Sequence, residues 1–505
     1  MLGIDAAEAD VVETLLREDR LPNLKLLRDG GFFGRLTSPA SCYAGGVWPT
    51  FYTGRSVPSH GIYHSKLWRA DQMRVDVVSD DWLEARPFWE RLPDPDLKVC
   101  IVDVPMVLGA PRRVAGVYLG GWGTHDLISR GSWPPELWRA CEKRFGRPAM
   151  PAEDFGRQSE RSLRRLPLQL AAATKQLGAV AIELLQRDSW DFGCIVFGAT
   201  HRGGHYLWDR SQVADGAAEP SSPKVAEGLI GIYQDIDRAL GEILHAVGES
   251  TLVLAFALHG MGPNPGWSDL LPDILARVEE HRTGLPPRRG MLYRLKQRLP
   301  FHLVRPLLNR LPTALTHRLV SLWSRNMFDW SSTRFFPLPM DEAGLIRINL
   351  RGRERGGIVE PGAEYDALCG ELAAVLLDLR DDATGRPIAR DVSPAYASAP
   401  ADAAGRELLP DLVVTWTGAT AATVRRLSCP SLPGFEYPVP QRLPSGRSGN
   451  HTDHGWFIAR GPAIAAGETC GKHDVIDLAP TVLHHLGVPI PEGMEGTPIR
   501  LGTGR

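Results

Sequence analysis

The chain of 505 residues contains no C-x-x-C pair, and its seven cysteines, at 42, 100, 141, 194, 369, 429 and 470, are scattered and odd in number. A disulfide scaffold and a cysteine zinc knuckle are thereby excluded, and a reducing compartment fits best. No uncharged apolar run reaches 18 residues, so no membrane-spanning helix is expected. The opening MLGIDAAEADVVETLLREDRLPNL places acids where a signal peptide needs basic and then apolar residues, which points to a cytoplasmic protein. An excess of either charge is also missing: 57 Lys and Arg stand against 59 Asp and Glu, a net charge of -2, with no strong nucleic-acid signature. A Walker A loop and a GxSxG elbow are absent, which removes the sequence grounds for an ATPase or an ordinary serine esterase.

What remains is ordinary globular composition, 43% hydrophobic and 23% charged, with 52 glycines and 41 prolines marking many turns. The opening LGID reads as a short strand ending at Asp5. Further apolar stretches of strand length are KVCIVDVPMVL from 98, DFGCIVFGA from 191, TLVLAFALHG from 251 and PDLVVTWTG from 410. Helix-capable segments such as SPKVAEGLIGIYQDIDRALGEILHAV separate them, so the expected fold class is α/β, a central mostly parallel sheet with helices on both faces. The clearest shift in composition lies at 281–325, with ten Lys or Arg and no Asp or Glu. That segment reads as a lid over an anionic substrate, a docking surface, or a solvated face with leucines packed inward. The expected organisation is residues 1–280 as the first part of the catalytic core, 281–409 as a basic insertion and smaller cap-like region, and 410–505 as a return to the core.

The sharpest chemical feature is THRGGHYLW, which places His201 and His205 four apart directly after an apolar strand candidate. On a helical turn such a pair presents two imidazoles to one side, where they can share a metal ion. The glutamate of HExxH is missing, so no peptidase reading follows. His259 follows another strand candidate, His451 stands beside Asp453 and His454, and Asp5 ends the first strand. Loops at the ends of neighbouring strands converge, and these donors suit zinc or another divalent transition metal. In the segment from 38 to 68, Ser41, Cys42 and Thr50 are candidate nucleophiles, and Thr53-Gly54 is placed to end a short helix. Trp122, His125 and Asp126 fall near a strand end, as pocket lining or as ordinary packing.

Taken in order, GID at 3–5, LPNLKLLRDGG at 21–31, WPTFYTGRSVPSHGI at 48–62, HRGGH at 201–205, LHGMG at 258–262, HTDHGWFIARGP at 451–462 and the late DLAPTVLHHLGVPIP resemble the alkaline phosphatase superfamily, specifically its type I phosphodiesterase and nucleotide pyrophosphatase branch. The resemblance implies two divalent metals at the edge of a central sheet and a Ser or Thr nucleophile that cleaves phosphate esters through a covalent intermediate. It carries Asp5 onto a metal-ligating aspartate, His205 onto the histidine of an Asp-x-x-x-His motif, His259 onto that of an Asp-His-Gly motif, and His451 onto the late histidine ligand. Three departures stand out. His201 and Leu258 occupy positions where the family has aspartate, and Ala44 occupies the usual nucleophile position. CYAGG also lacks the C-x-P-x-R pattern of the modified sulfatase cysteine.

Two mechanisms are therefore expected. In one, His201, His205 and His451 hold a first metal, Asp5 and His259 hold a second, and Cys42 attacks, preferred over Ser41 because a metal-coordinated thiolate forms more easily near neutral pH. In the other a single metal activates water directly. The expected function is a metal-dependent hydrolase of phosphate esters, foremost a phosphodiesterase. The alternatives are a related sulfate or phosphonate ester hydrolase and a catalytically degenerate metal- or ligand-binding protein. The cofactor is one or two divalent ions, zinc first and manganese or iron next. The partner is a small anionic ester, and the chain is a monomer or a homodimer.

Overall fold

The computed structural model describes residues 1–79, 82, 86–92, 94, 96–108, 114–124, 128, 130–151, 156–209, 211–212, 223–285, 319, 321–322, 324–395, 405–462 and 464–501. Most of the basic segment read from the sequence, at 286–318, 320 and 323, lies outside the described residues, as do His125 and Asp126. The chain divides into two units, one of residues 1–60, 79–264 and 444–505, the other of residues 61–78 and 265–443.

The first unit is built on a nine-stranded sheet. Its strands are β1 (Leu2–Ile4), β2 (Phe32–Thr37), β3 (Val99–Val102), β4 (Gly116–Gly120), β5 (Gly131–Trp133), β6 (Phe192–Phe197), β7 (Val253–Ala257), β8 (His454–Arg460) and β9 (Gly467–Asp474). The spatial order is β9-β2-β8-β7-β1-β6-β3-β4-β5. Five of the eight pairings are parallel, and only β8 with each neighbour and β4 with β5 run antiparallel. The mostly parallel sheet is thus observed.

Central strands covered on both faces need apolar side chains at every position, which explains why β3 and β7 are buried throughout and read as unbroken hydrophobic runs. Successive side chains point to opposite faces. Ala255 and Ala257 join a core shared with the helices Ala9–Arg17, Glu160–Leu185 and Pro223–Val247. Phe256 between them turns the other way, onto Trp48 and Phe51 of the helix Val47–Thr53. Helices therefore cover both faces. The long helix Glu160–Leu185 starts at Ser159, whose side chain accepts from the Ser162 amide, and it buries residues at three- and four-residue spacing from Leu163 to Leu184. Trp122 is buried with its ring 5.2 Å from that of Trp138.

In the second unit, Leu412–Trp416 forms a strand as its apolar sequence predicts, but it does not rejoin the main sheet. It pairs antiparallel with Gly344–Ile348 and Ala389–Pro394 in a four-stranded sheet completed by Phe335–Leu338. A buried apolar strand reads the same in either sheet, because composition reports burial and not the identity of the neighbour. The interior of this unit also holds a charged network. Asp411 accepts from Nη1 and Nη2 of Arg353 at 2.7 Å, from the Tyr365 hydroxyl at 2.7 Å and from the Ile348 amide at 2.6 Å. Glu354 accepts from Arg347 and Arg353 at 2.7 and 2.9 Å. Arg353 holds the Asp411 carboxyl below its ordinary range against the opposing effect of burial.

Candidate metal centre

Three adjacent parallel strands, β7, β1 and β6, end at the same edge of the sheet, so the residues that follow them meet. Asp5 follows β1, and its amide donates to the Phe197 carbonyl at 2.9 Å, extending the ladder by one bond. The helix Ala199–Leu207 follows β6 and carries His201 and His205. The Thr200 hydroxyl donates to the Asp5 carbonyl at 2.6 Å, tying that helix to β1. His259 follows β7 by two residues, and the chain then forms a short strand, Gly260–Pro263. That strand pairs antiparallel with Gly449–Thr452, setting Met261 opposite His451. His451 thus reaches the same edge from the far end of the chain.

Two glycines permit this approach. A Cβ at Gly449 would lie 2.1 Å from the Gly204 carbonyl oxygen, so only glycine lets the His451 strand press against the histidine-bearing helix. A Cβ at Gly260 would lie 2.0 Å from the Glu8 carboxylate. That carboxylate accepts the Met261 amide at 2.9 Å and the Thr452 hydroxyl at 2.8 Å, binding both strands of the ribbon, and its burial raises the Glu8 pKa.

Of the predicted donors, His201, His205 and His451 come together, with candidate ligand atoms all within 4.8 Å of one another. Their ring centroids form a triangle with sides of 4.7, 4.8 and 4.9 Å. A tetrahedral zinc ion with bonds of about 2.1 Å sets its nitrogens roughly 3.4 Å apart, so an ion would draw each donor inward by less than about 1 Å. The surrounding hydrogen bonds fit the same purpose. His205 Nδ1 donates to the Gly449 carbonyl at 3.0 Å, leaving Nε2 with its lone pair. His201 Nδ1 lies 2.8 Å from Asp5 Oδ2. Burial, followed by the charge of Arg447, pushes the His205 pKa well below the usual imidazole range, so the ring is neutral and able to ligate at neutral pH.

Asp5 and His259 stand outside this trio. The Trp48 indole N–H donates to Asp5 Oδ1 at 3.0 Å, and His259 Nε2 lies 3.5 Å from the same oxygen. The His259 ring centroid is 4.8 Å from that of His451 and 6.2 Å from that of His201. Trp48 and Glu8 were not singled out from the sequence, and Asp453 was noted there only as a neighbour of His451. Trp48 sits within the quoted WPTFYTGR motif, yet nothing in the linear pattern ties its indole to Asp5. Glu8 resembles any acid at the start of a helix.

Two of the three candidate nucleophiles, Ser41 and Cys42, lie in the single helical turn Ala40–Tyr43. The Ser41 amide and hydroxyl donate to the two carboxylate oxygens of Asp453 at 2.6 and 2.8 Å, two residues beyond His451. Cys42 is half-buried, with its sulfur 3.8 Å from the Ser41 hydroxyl. Gly54 ends the next helix in the left-handed region at φ 64°, as the Thr53-Gly54 pair predicts. Thr50 is buried, and its hydroxyl lies 3.1 Å from His60 Nε2.

The His60 pair has a measurable consequence. Burial, then the charge of Arg55, pushes the His60 pKa down to about 3, below the ordinary 6.5. The unfolded chain therefore binds this proton more readily, and stability must fall as pH drops below 6.5 toward 3. At pH 5 the cost from this group is about 2 kcal/mol. Urea unfolding at pH 7 and pH 5 should show His60→Gln losing less stability than the wild type over that interval; equal losses would exclude this assignment.

A sheet of this order with a histidine cluster at its carboxyl edge defines an alkaline-phosphatase-like α/β protein. The type I phosphodiesterase / nucleotide pyrophosphatase family profile matches residues 1–428, and the chain belongs to that family. Among solved structures, it resembles alkaline phosphatase PafA with 13% identity and a TM-score of 0.56, covering 100% of this chain and 98% of that one. It also resembles phosphonoacetate hydrolase from Sinorhizobium meliloti 1021 (12% identity, TM-score 0.50, 96% and 94% covered). A third likeness is to murine ectonucleotide pyrophosphatase / phosphodiesterase 5 (13% identity, TM-score 0.47, 97% and 95% covered). At such identities the first two likenesses extend to the fold alone. No curated protein matches the chain by sequence. No described helix is long and apolar enough to cross a membrane.

Proposed function

We propose that the protein is a metal-dependent hydrolase of phosphate esters, acting foremost on a phosphodiester. The observation that carries this reading is the His201, His205 and His451 triangle at the sheet edge, in a chain of the type I phosphodiesterase family. Three imidazole nitrogens suit zinc, with manganese and iron as the next candidates. A bound divalent ion would supply Lewis acidity toward a phosphoryl oxygen.

The chain's own groups do the rest. Gly449 and Asp5 orient the imidazoles. Arg447, close enough to His205 to depress its pKa, adds positive charge that favours an anionic ester. For a covalent route Ser41 is preferred over Cys42, because its hydroxyl already donates to Asp453, a carboxylate able to take the proton as oxygen attacks. We also infer a cytoplasmic location from the scattered cysteines of the sequence.

Purified protein, assayed for metal content and for turnover of bis-p-nitrophenyl phosphate, p-nitrophenyl phosphate and p-nitrophenyl sulfate, tests the reading. Chelator-sensitive turnover, fastest with the diester, is expected. Bound metal with no turnover of any ester would favour the ligand-binding alternative that Ala44 and Leu258 suggest. Ser41→Ala should reduce turnover at least 100-fold while Cys42→Ala retains most of it; an active Ser41→Ala variant would move the attack to water.

A further inference from the structure

We infer that Asp5 is a positioning residue for a single-metal centre: it orients His201 from outside the coordination sphere, and Trp48 holds it there. The inference rests on the metal-centre reading above and concerns the number of ions. Both Asp5 oxygens are engaged, Oδ2 by His201 Nδ1 at 2.8 Å and Oδ1 by the Trp48 indole N–H at 3.0 Å. A carboxylate on the far nitrogen of a ligating imidazole fixes its tautomer and direction and increases its basicity.

Trp48 is in no position to release its hold. Its ring is 4% exposed and packs edge-on against Phe51 and Phe256, with centroids 5.9 and 6.1 Å apart. The indole nitrogen carries a proton and has no lone pair for a metal. His259 Nε2 lies 3.5 Å from Asp5 Oδ1. The neighbouring Leu258 is apolar and buried. The nearby Glu8 carboxylate is committed to Met261 and Thr452. Among the described residues, the trio of His201, His205 and His451 is the one cluster of three or more close donors, and neither Asp5 nor His259 extends it. Two donors, Asp5 and His259, fall short of the three or four protein ligands that a zinc site needs.

Metal content and titration of the full chain, wild type and Asp5→Asn, test this directly, with zinc as the probe and cobalt as its spectroscopic substitute. The wild type should bind one ion per chain. Asp5→Asn should also bind one, with affinity lowered 10- to 100-fold. Its cobalt absorption should keep its intensity, since the three donors are unchanged, while its maximum shifts as His201 loses its carboxylate. Circular dichroism of the metal-free variant should match the wild type, separating an altered site from a misfolded chain. Trp48→Phe, which frees Oδ1 but retains an aromatic ring, should likewise keep one ion. Two ions in the wild type and one in Asp5→Asn would make Asp5 a ligand of a second metal and overturn the inference. One ion bound with undiminished affinity by Asp5→Asn would overturn the positioning role. No ion in the wild type would remove the metal centre itself.

Discussion

Replacing His205 with alanine should leave a folded protein that binds zinc more than 100-fold more weakly and hydrolyses no phosphodiester above background. The ring is 2% exposed and is wedged between the two elements that make the centre, its own helix and the Gly449–Thr452 strand. Its loss removes one of three nitrogen donors. Metal sites with four protein ligands bind zinc with roughly 10–16 kcal/mol, so each ligand accounts for about 3 kcal/mol or somewhat more. It also leaves the Gly449 carbonyl without its Nδ1 donor, a further destabilisation of about 1–3 kcal/mol. Competition against a zinc chelator reports the first effect and denaturant unfolding of metal-free protein the second. Zinc affinity within threefold of wild type would exclude His205 as a ligand.

The second large effect is expected in the other unit, away from any metal chemistry. Asp411→Ala should destabilise that unit by about 3–5 kcal/mol, because it leaves Arg353 without its bidentate partner and Tyr365 and the Ile348 amide without acceptors. The Asp411 side chain is fully buried and that of Arg353 19% exposed, so water cannot substitute for the lost carboxylate. Limited proteolysis and urea unfolding should show the unit of residues 61–78 and 265–443 opening first. Asp411→Asn, which keeps the shape and one acceptor oxygen, should lose less. A change below about 1 kcal/mol for Asp411→Ala would mean that the ion pairs merely offset their desolvation.

The histidines gathered at the sheet edge were legible because strand, turn and donor stand next to one another in sequence. CIVFGA followed by THRGGH states both a buried strand and two imidazoles just past its end, and ALHG repeats the arrangement for His259. The mostly parallel sheet was legible for a related reason, since strands covered on both faces must be apolar throughout, and β3 and β7 are. Leu412–Trp416 carries the same apolar signature, yet its partners are Gly344–Ile348 and Ala389–Pro394, because hydrophobicity records burial without recording against what.

By itself, then, the sequence determined the fold class and, through the order of its motifs, the family, and it marked His201, His205 and His451 as donors, because these follow from local pattern and residue identity. Tertiary structure alone decided which donors come together and which stand apart. The Asp5 carboxylate can ligate, orient or cap with equal ease. Here it accepts a hydrogen bond from Trp48, 43 residues away, and meets His201, 196 residues away. The same holds for Glu8 on Thr452 and Ser41 on Asp453, where chain separations of more than 400 residues close to below 3 Å. Side-chain roles of this kind depend on directional bonds between distant segments, and those directions exist only once the sheet has brought its strand ends together.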